Sequence, residues 1–127
     1  MTTSALIRQQ LLEDGIRQSL LRFNYAAEVA APALAEAFNA RRIWLFGSSA
    51  RNMANRDSDI DILVEGGGIL CAKKRLSLAY DVVSSLEDLP CGIDVIVLTE
   101  EEIGQKKSVS AISSMLNDRK LIFDGIM

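Results

Sequence analysis

From Ser4 to about Phe23 the apolar residues Leu6, Ile7, Leu11, Leu12, Ile16, Leu20 and Leu21 recur at helical spacing, with Arg8, Glu13, Arg17 and Gln18 between them. The pattern predicts an amphipathic helix, weakened slightly at Gly15. Tyr25 to Asn39 is a second helical segment, rich in alanine, in which Pro32 kinks the helix or opens a fresh first turn. The pattern then shortens. Arg42 to Phe46 is apolar and aromatic and ends at Gly47, which predicts a strand, with helix resuming at Ser48. Asp59 to Glu65 alternates with period two and stops at Gly66-Gly67-Gly68, a second strand. Ile69 to Leu89 returns to helical spacing and ends before Pro90 and Gly92. Ile93 to Leu98 is the third strand, Thr99 to Ile103 caps and begins a helical turn, Val109 to Asn117 is a last helix, and Leu121 to Phe123 is a short strand.

The loop lengths constrain how these strands pair. The connection between the first and second strands is too short for a parallel crossover with its own helix, so the two run antiparallel. The segment between the second and third strands is long enough for a helical crossover, so those two run parallel and begin at the same edge. The expected fold is α/β (α+β), a small mixed sheet flanked by helices. It forms one domain over 1–127, with 1–40 as N-terminal helical segments.

A 49% hydrophobic and 24% charged composition supports a buried core. The net charge of -3 and pI near 4.9 argue against a nucleic-acid partner, which would need clustered Lys and Arg. No stretch reads as a membrane span or a secretion signal, so a cytoplasmic location is expected. Cys71 and Cys91, with no histidine in the chain, cannot assemble a Cys/His zinc cage and read as reduced structural thiols. The lack of histidine also removes the usual general base and any Ser-His-Asp triad. Chemistry in this chain must run on carboxylates and metal.

The expected topology brings such carboxylates together. Asp59 and Asp61 are two apart on one strand and so share a face, and Asp94 starts the neighbouring parallel strand at the same edge. Gly47, at the end of the first strand, lets backbone approach a phosphate, and a helix opening at Ser48 would offer amide donors. Arg51, one turn on, could reach the same phosphate. Three carboxylates at one edge repel one another unless cations offset them, which points to a divalent-metal site at Asp59, Asp61 and Asp94. By contrast, Ser58 reads as a turn residue, Ser49 and Asn52 as loop or helix-surface positions, and Trp44 and Phe46 as core anchors. Lys73, Lys74 and Arg75 read as a solvated helix face, and Arg119 and Lys120 carry no role.

At these residues the chain resembles the minimal nucleotidyltransferases of the DNA polymerase β-like superfamily, whose signature is Gly-Ser, ten residues, then Asp-x-Asp. Here that spacing runs from Gly47-Ser48 to Asp59-x-Asp61. The resemblance implies that Asp59, Asp61 and Asp94 bind two Mg2+ ions, with Mn2+ as a substitute, and that Asp94 also helps activate the acceptor hydroxyl. It implies that Gly47, Ser48 and Arg51 bind ATP or another nucleoside triphosphate. Asn52 departs from the pattern, since many relatives carry Gly there, and Ser49 replaces a residue that is frequently larger or basic. The stand-alone small members are similar to antitoxins paired with HEPN-domain toxins, some of which transfer AMP from ATP to a tyrosine of the partner.

Three classes follow. The first is an active protein adenylyltransferase that acts as an antitoxin on a HEPN-type partner. The second is a catalytically silent protein of the same fold that neutralises its partner by contact. The third, a phospho-acceptor receiver domain, would need its acidic pair on the first strand and fits poorly. A homo-oligomer stays open.

Overall fold

The computed structural model describes residues 3–106, 113 and 116–126. The chain opens with α1 (Thr3–Tyr25), passes through a π-helical turn (Ala26–Ala30) and continues as α2 (Ala31–Phe38). Proline is the reason for the wide turn. Pro32 has no N–H to give the carbonyl four residues back, and its ring crowds that carbonyl. The helix therefore loosens just before it, with the Ala31 N–H donating five residues back to the Ala26 carbonyl. The expected change of helix near Pro32 thus appears as an insertion in a continuous rod. α2 ends at Asn39, whose left-handed φ of 49° is tolerated by asparagine's short polar side chain.

Strands β1 (Arg42–Phe46), β2 (Ile60–Glu65), β3 (Ile93–Leu98) and β4 (Lys120–Asp124) form one sheet in the order β3-β2-β1-β4. β1 is antiparallel to both β2 and β4, and β2 is parallel to β3, as the connection lengths require. The architecture is mixed α+β. One face of the sheet, with Ile43, Leu45, Ile60, Ile62 and Val64, packs on α2, the π turn and α3 (Ala72–Ser85). The other carries Trp44 and Leu63, joined by Leu98, Ile103 and Leu116. α4 (Glu100–Lys106) starts with a reciprocal cap: the Thr99 hydroxyl accepts the Glu102 N–H, and the Glu102 carboxylate accepts the Thr99 N–H.

Four expectations need correction. α1 does not bury the apolar residues that define its periodicity: Leu6, Ile7, Leu11, Leu12, Ile16, Leu20 and Leu21 are all exposed, and its buried residues are Ser19 and Arg22. At 100° per residue these seven positions are spread around the helix and form no single stripe that a core face could cover. No helix resumes at Ser48; residues 48–52 are turns, because Asn52 takes a left-handed φ of 58° that ends helical geometry at once. Arg75 is not solvated but 8% exposed, donating to the Glu102 carboxylate and the Val97 carbonyl. Arg119 does have a contact, its guanidinium lying 4.5 Å from the centroid of the Trp44 ring. The helix expected over Val109 to Asn117 lies largely outside the described residues.

Candidate active site

β1 ends at Phe46 directly opposite Asp61, so the turn that follows begins beside the first strand carboxylate. Gly47 opens that turn with φ 75°, a conformation that costs any other residue strain. A Cβ on Gly47 would also push aside the Asp61 carboxylate, which lies against this position. The Ala50 N–H donates to the Gly47 carbonyl at 3.2 Å and the Arg51 N–H to the Ser48 carbonyl at 3.2 Å. The segment that opens at Ser48 is therefore a tight turn rather than a helix start. Its Arg51 side chain is exposed. Ser49 is buried, against expectation, and its hydroxyl has no hydrogen-bond partner among the described residues.

Asp61 pairs in register with Asp94 of the parallel strand β3, which places the two carboxylate-bearing residues side by side on one face. Asp61 is half-buried, while Asp59 and Asp94 are exposed. Burial, then the charge of Asp94, then that of Asp59, raise the Asp61 carboxyl above its ordinary range. Each cause disfavours negative charge there, and a bound cation would offset all three. The donors are oxygens only, which suits a hard ion such as Mg2+. Among the described residues no three acidic, Cys or His side chains converge on one cation position. Asp61 is turned onto Gly47, and Asp59 lies over Gly92, where a Cβ would meet its Oδ1 at 2.7 Å. Sharing an ion requires these side chains to rotate. The expected residues Gly47, Ser48, Asp59, Asp61 and Asp94 thus gather at one edge, with Arg51 on the rim.

The residues that hold this edge in place were not visible in the sequence pattern. The connection from Gly47 to Asp59 contains no regular element, so its position depends on outside contacts. α1 provides them. Arg22, 1% exposed, donates from Nε to the Ser58 carbonyl at 2.9 Å, immediately before Asp59, and from Nη2 to the Arg56 carbonyl at 3.4 Å. The Ser19 hydroxyl accepts the Ala54 N–H at 3.0 Å. Gly15 lets the helix approach, since a Cβ there would stand 3.3 Å from the Asn52 carbonyl oxygen. The only available signal was Gly15, Ser19 and Arg22 falling on one helical stripe of small or polar residues. Gly92 was likewise read only as a helix stop, yet its carbonyl accepts the Ile60 N–H at 2.9 Å and its bare Cα admits Asp59. Burial raises the Cys91 thiol above its ordinary range, partly opposed by Arg22, which keeps it protonated.

Among described residues no helix is long and apolar enough to cross a membrane. No curated protein matches the sequence. A crystal structure of a candidate nucleotidyltransferase from Sulfolobus solfataricus is similar, at 25% identity and a TM-score of 0.61 over 88% of each chain. The family model described as Nucleotidyltransferase domain matches residues 29–122, a span that includes the whole sheet through Ile122, the Gly47-Ser48 turn and all three aspartates. That span is well over half of the 127 residues, and the chain belongs to this nucleotidyltransferase family.

Proposed function

We propose that the protein transfers the AMP moiety of ATP to a hydroxyl of another protein, a tyrosine of a HEPN-type toxin, and so acts as an antitoxin. The observation that carries the catalytic part is the packing of Gly47 against Asp61 while Asp61 stands in register with Asp94. The Gly47-Ser48 turn and the acidic pair are thereby adjacent. The HEPN partner and the tyrosine acceptor rest on the resemblance of the Gly-Ser and Asp-x-Asp spacing to the stand-alone minimal members.

In this reading the Gly47-Ser48 turn receives the polyphosphate, with the Ser48 hydroxyl as a donor and Arg51 reaching the same group from the rim. Asp59, Asp61 and Asp94 would hold two divalent cations, Mg2+ or Mn2+, which would supply charge neutralisation at the α-phosphate and the departing pyrophosphate. Asp94 accepts the proton of the acceptor hydroxyl. The hydroxyl oxygen forms its bond to the α-phosphorus as the bond to pyrophosphate breaks, and Arg22 and Ser19 keep the Asp59 side of the site fixed.

The test is incubation of the purified protein with its co-purifying partner, ATP labelled at the α-phosphate and Mg2+. The expected result is a partner heavier by AMP on a tyrosine, with no label when Asp61→Asn replaces the wild type. A partner left unmodified, yet inhibited equally by the Asp61→Asn protein, would favour neutralisation by contact.

A further inference from the structure

α1 meets the molecule through small and polar residues. Its inward stripe is Gly15, Ser19, Arg22 and, past its end, Ala26, while its leucines and isoleucines face water. Every described residue from Thr3 to Glu13 is exposed, so the first three turns extend beyond the body as an arm. An isolated helix of this length is marginal in water, and one this apolar needs a cover. At 100° per residue the seven exposed apolar side chains are spread around the helix, and those on the side that Gly15 continues are Ile7, Leu11 and Leu12, which are 50%, 67% and 70% exposed. The arm also precedes residue 29, where the family match begins.

We infer that the occupant is a second copy of this chain, the two arms packing antiparallel about a two-fold axis at Leu11. Two observations favour self-association. First, a groove of about 460 Å³ runs beneath the arm, lined by Leu11, Leu12, Gly15, Met53 and Ala54, and Met53 is itself 68% exposed. An antiparallel arm centred on Leu11 sets the Ile7 of each copy against Gly15 of the other, so that each tip fills the other's groove. Second, the arm is electrically self-complementary. Arg8 and Arg17 balance Glu13 and Asp14, and the same alignment sets Arg8 of each copy opposite Asp14 of the other. A two-fold pair closes on itself and leaves no apolar edge for further growth.

The interface lies on α1 and the loop over residues 52–55, apart from the Asp61–Asp94 pair, and it stands whether or not the proposed acceptor is correct. Sedimentation of the full chain should give twice the 13.9 kDa chain mass at micromolar concentration. Leu11→Glu, at an already exposed position, should give a folded monomer of unchanged circular dichroism; if it fails to fold, Ile7→Glu serves as the second variant. Arg8→Glu should weaken the dimer at least tenfold, and Arg8→Glu with Asp14→Arg should recover it. A wild-type monomer at high micromolar concentration, or a dimer unaffected by both apolar substitutions, would overturn the inference. Failure of the charge exchange to recover association would overturn the antiparallel alignment.

Discussion

Asp61 and Asp94 face each other across a parallel strand pair, and the half-buried Asp61 carries a carboxyl raised by burial and by the charge of its neighbour. A raised carboxyl binds its proton more tightly in the folded chain than in the unfolded one. The penalty on folding therefore grows as pH rises from the ordinary carboxylate range to the raised folded value, is complete above it, and is absent below both. Asp61→Asn should accordingly stabilise the metal-free protein at neutral pH, with the gain vanishing on acidification. Thermal melts of both proteins across pH, without divalent ions, measure it. If Asp61 holds cations, the same substitution should reduce transfer by about a thousandfold or more, since metal contributes several kcal/mol at the transition state.

Gly47→Ala should be costly for two separable reasons. The φ of 75° strains any residue with a Cβ, at about 1–2 kcal/mol, and the added carbon displaces the Asp61 carboxylate. The expected result is a lower melting temperature together with loss of nucleotide-dependent stabilisation. Retention of full nucleotide binding would show that the Gly47 turn does not form the phosphate site.

Arg22→Met keeps much of the side-chain volume but removes the donors to the Ser58 and Arg56 carbonyls. Leaving buried groups unpaired should cost about 1–3 kcal/mol. The distinguishing readout is local: amide hydrogen exchange should accelerate over residues 52–58, ahead of exchange in the sheet. Uniform acceleration across the chain would mean a general loss of stability rather than release of that segment.

The Arg75–Glu102 pair predicts an acid response. Hydrogen bonds from Arg75 and Thr99 lower the Glu102 carboxyl to about 2, against an ordinary value of 4.5. The stability it contributes is complete above that ordinary value and is lost as pH falls through the lowered one. Glu102→Gln should cost about 1–2 kcal/mol at neutral pH, allowing for its partly solvated side, and should flatten the stability profile between those two values. Chemical denaturation at several pH values would reveal an unchanged slope if the pair were inert.

The sheet was legible because its causes are local and short in range. The Arg42–Phe46 and Ile93–Leu98 strands stand as their composition and flanking glycines predict, and connection length alone determines which pairs are parallel. The acidic cluster follows from that topology. The Gly47–Asp59 connection was not legible, because a segment without periodicity is placed by contacts from elsewhere in the chain. Ser19 and Arg22 carry no amphipathic signal in a helix whose apolar residues are spread around it, and only the packed structure reveals that these two face the body. Asn52 is partly explained by its left-handed φ of 58°, where glycine or asparagine serves.

The π turn at Ala26–Ala30 amounts to about one residue more than a regular helix would use, and each residue turns a helix by roughly 100°. The turn absorbs that residue by widening, so α1 keeps its register with α2, which Leu34 and Phe38 anchor in the core. Loss of one residue there could be taken up by closing the wide turn to a regular one, leaving Arg22 above Ser58 and Ser19 above Ala54. A deletion between Ser19 and Arg22 has no such slack, since it would set the two contacts roughly 100° out of phase and release one side of the loop that leads to Asp59.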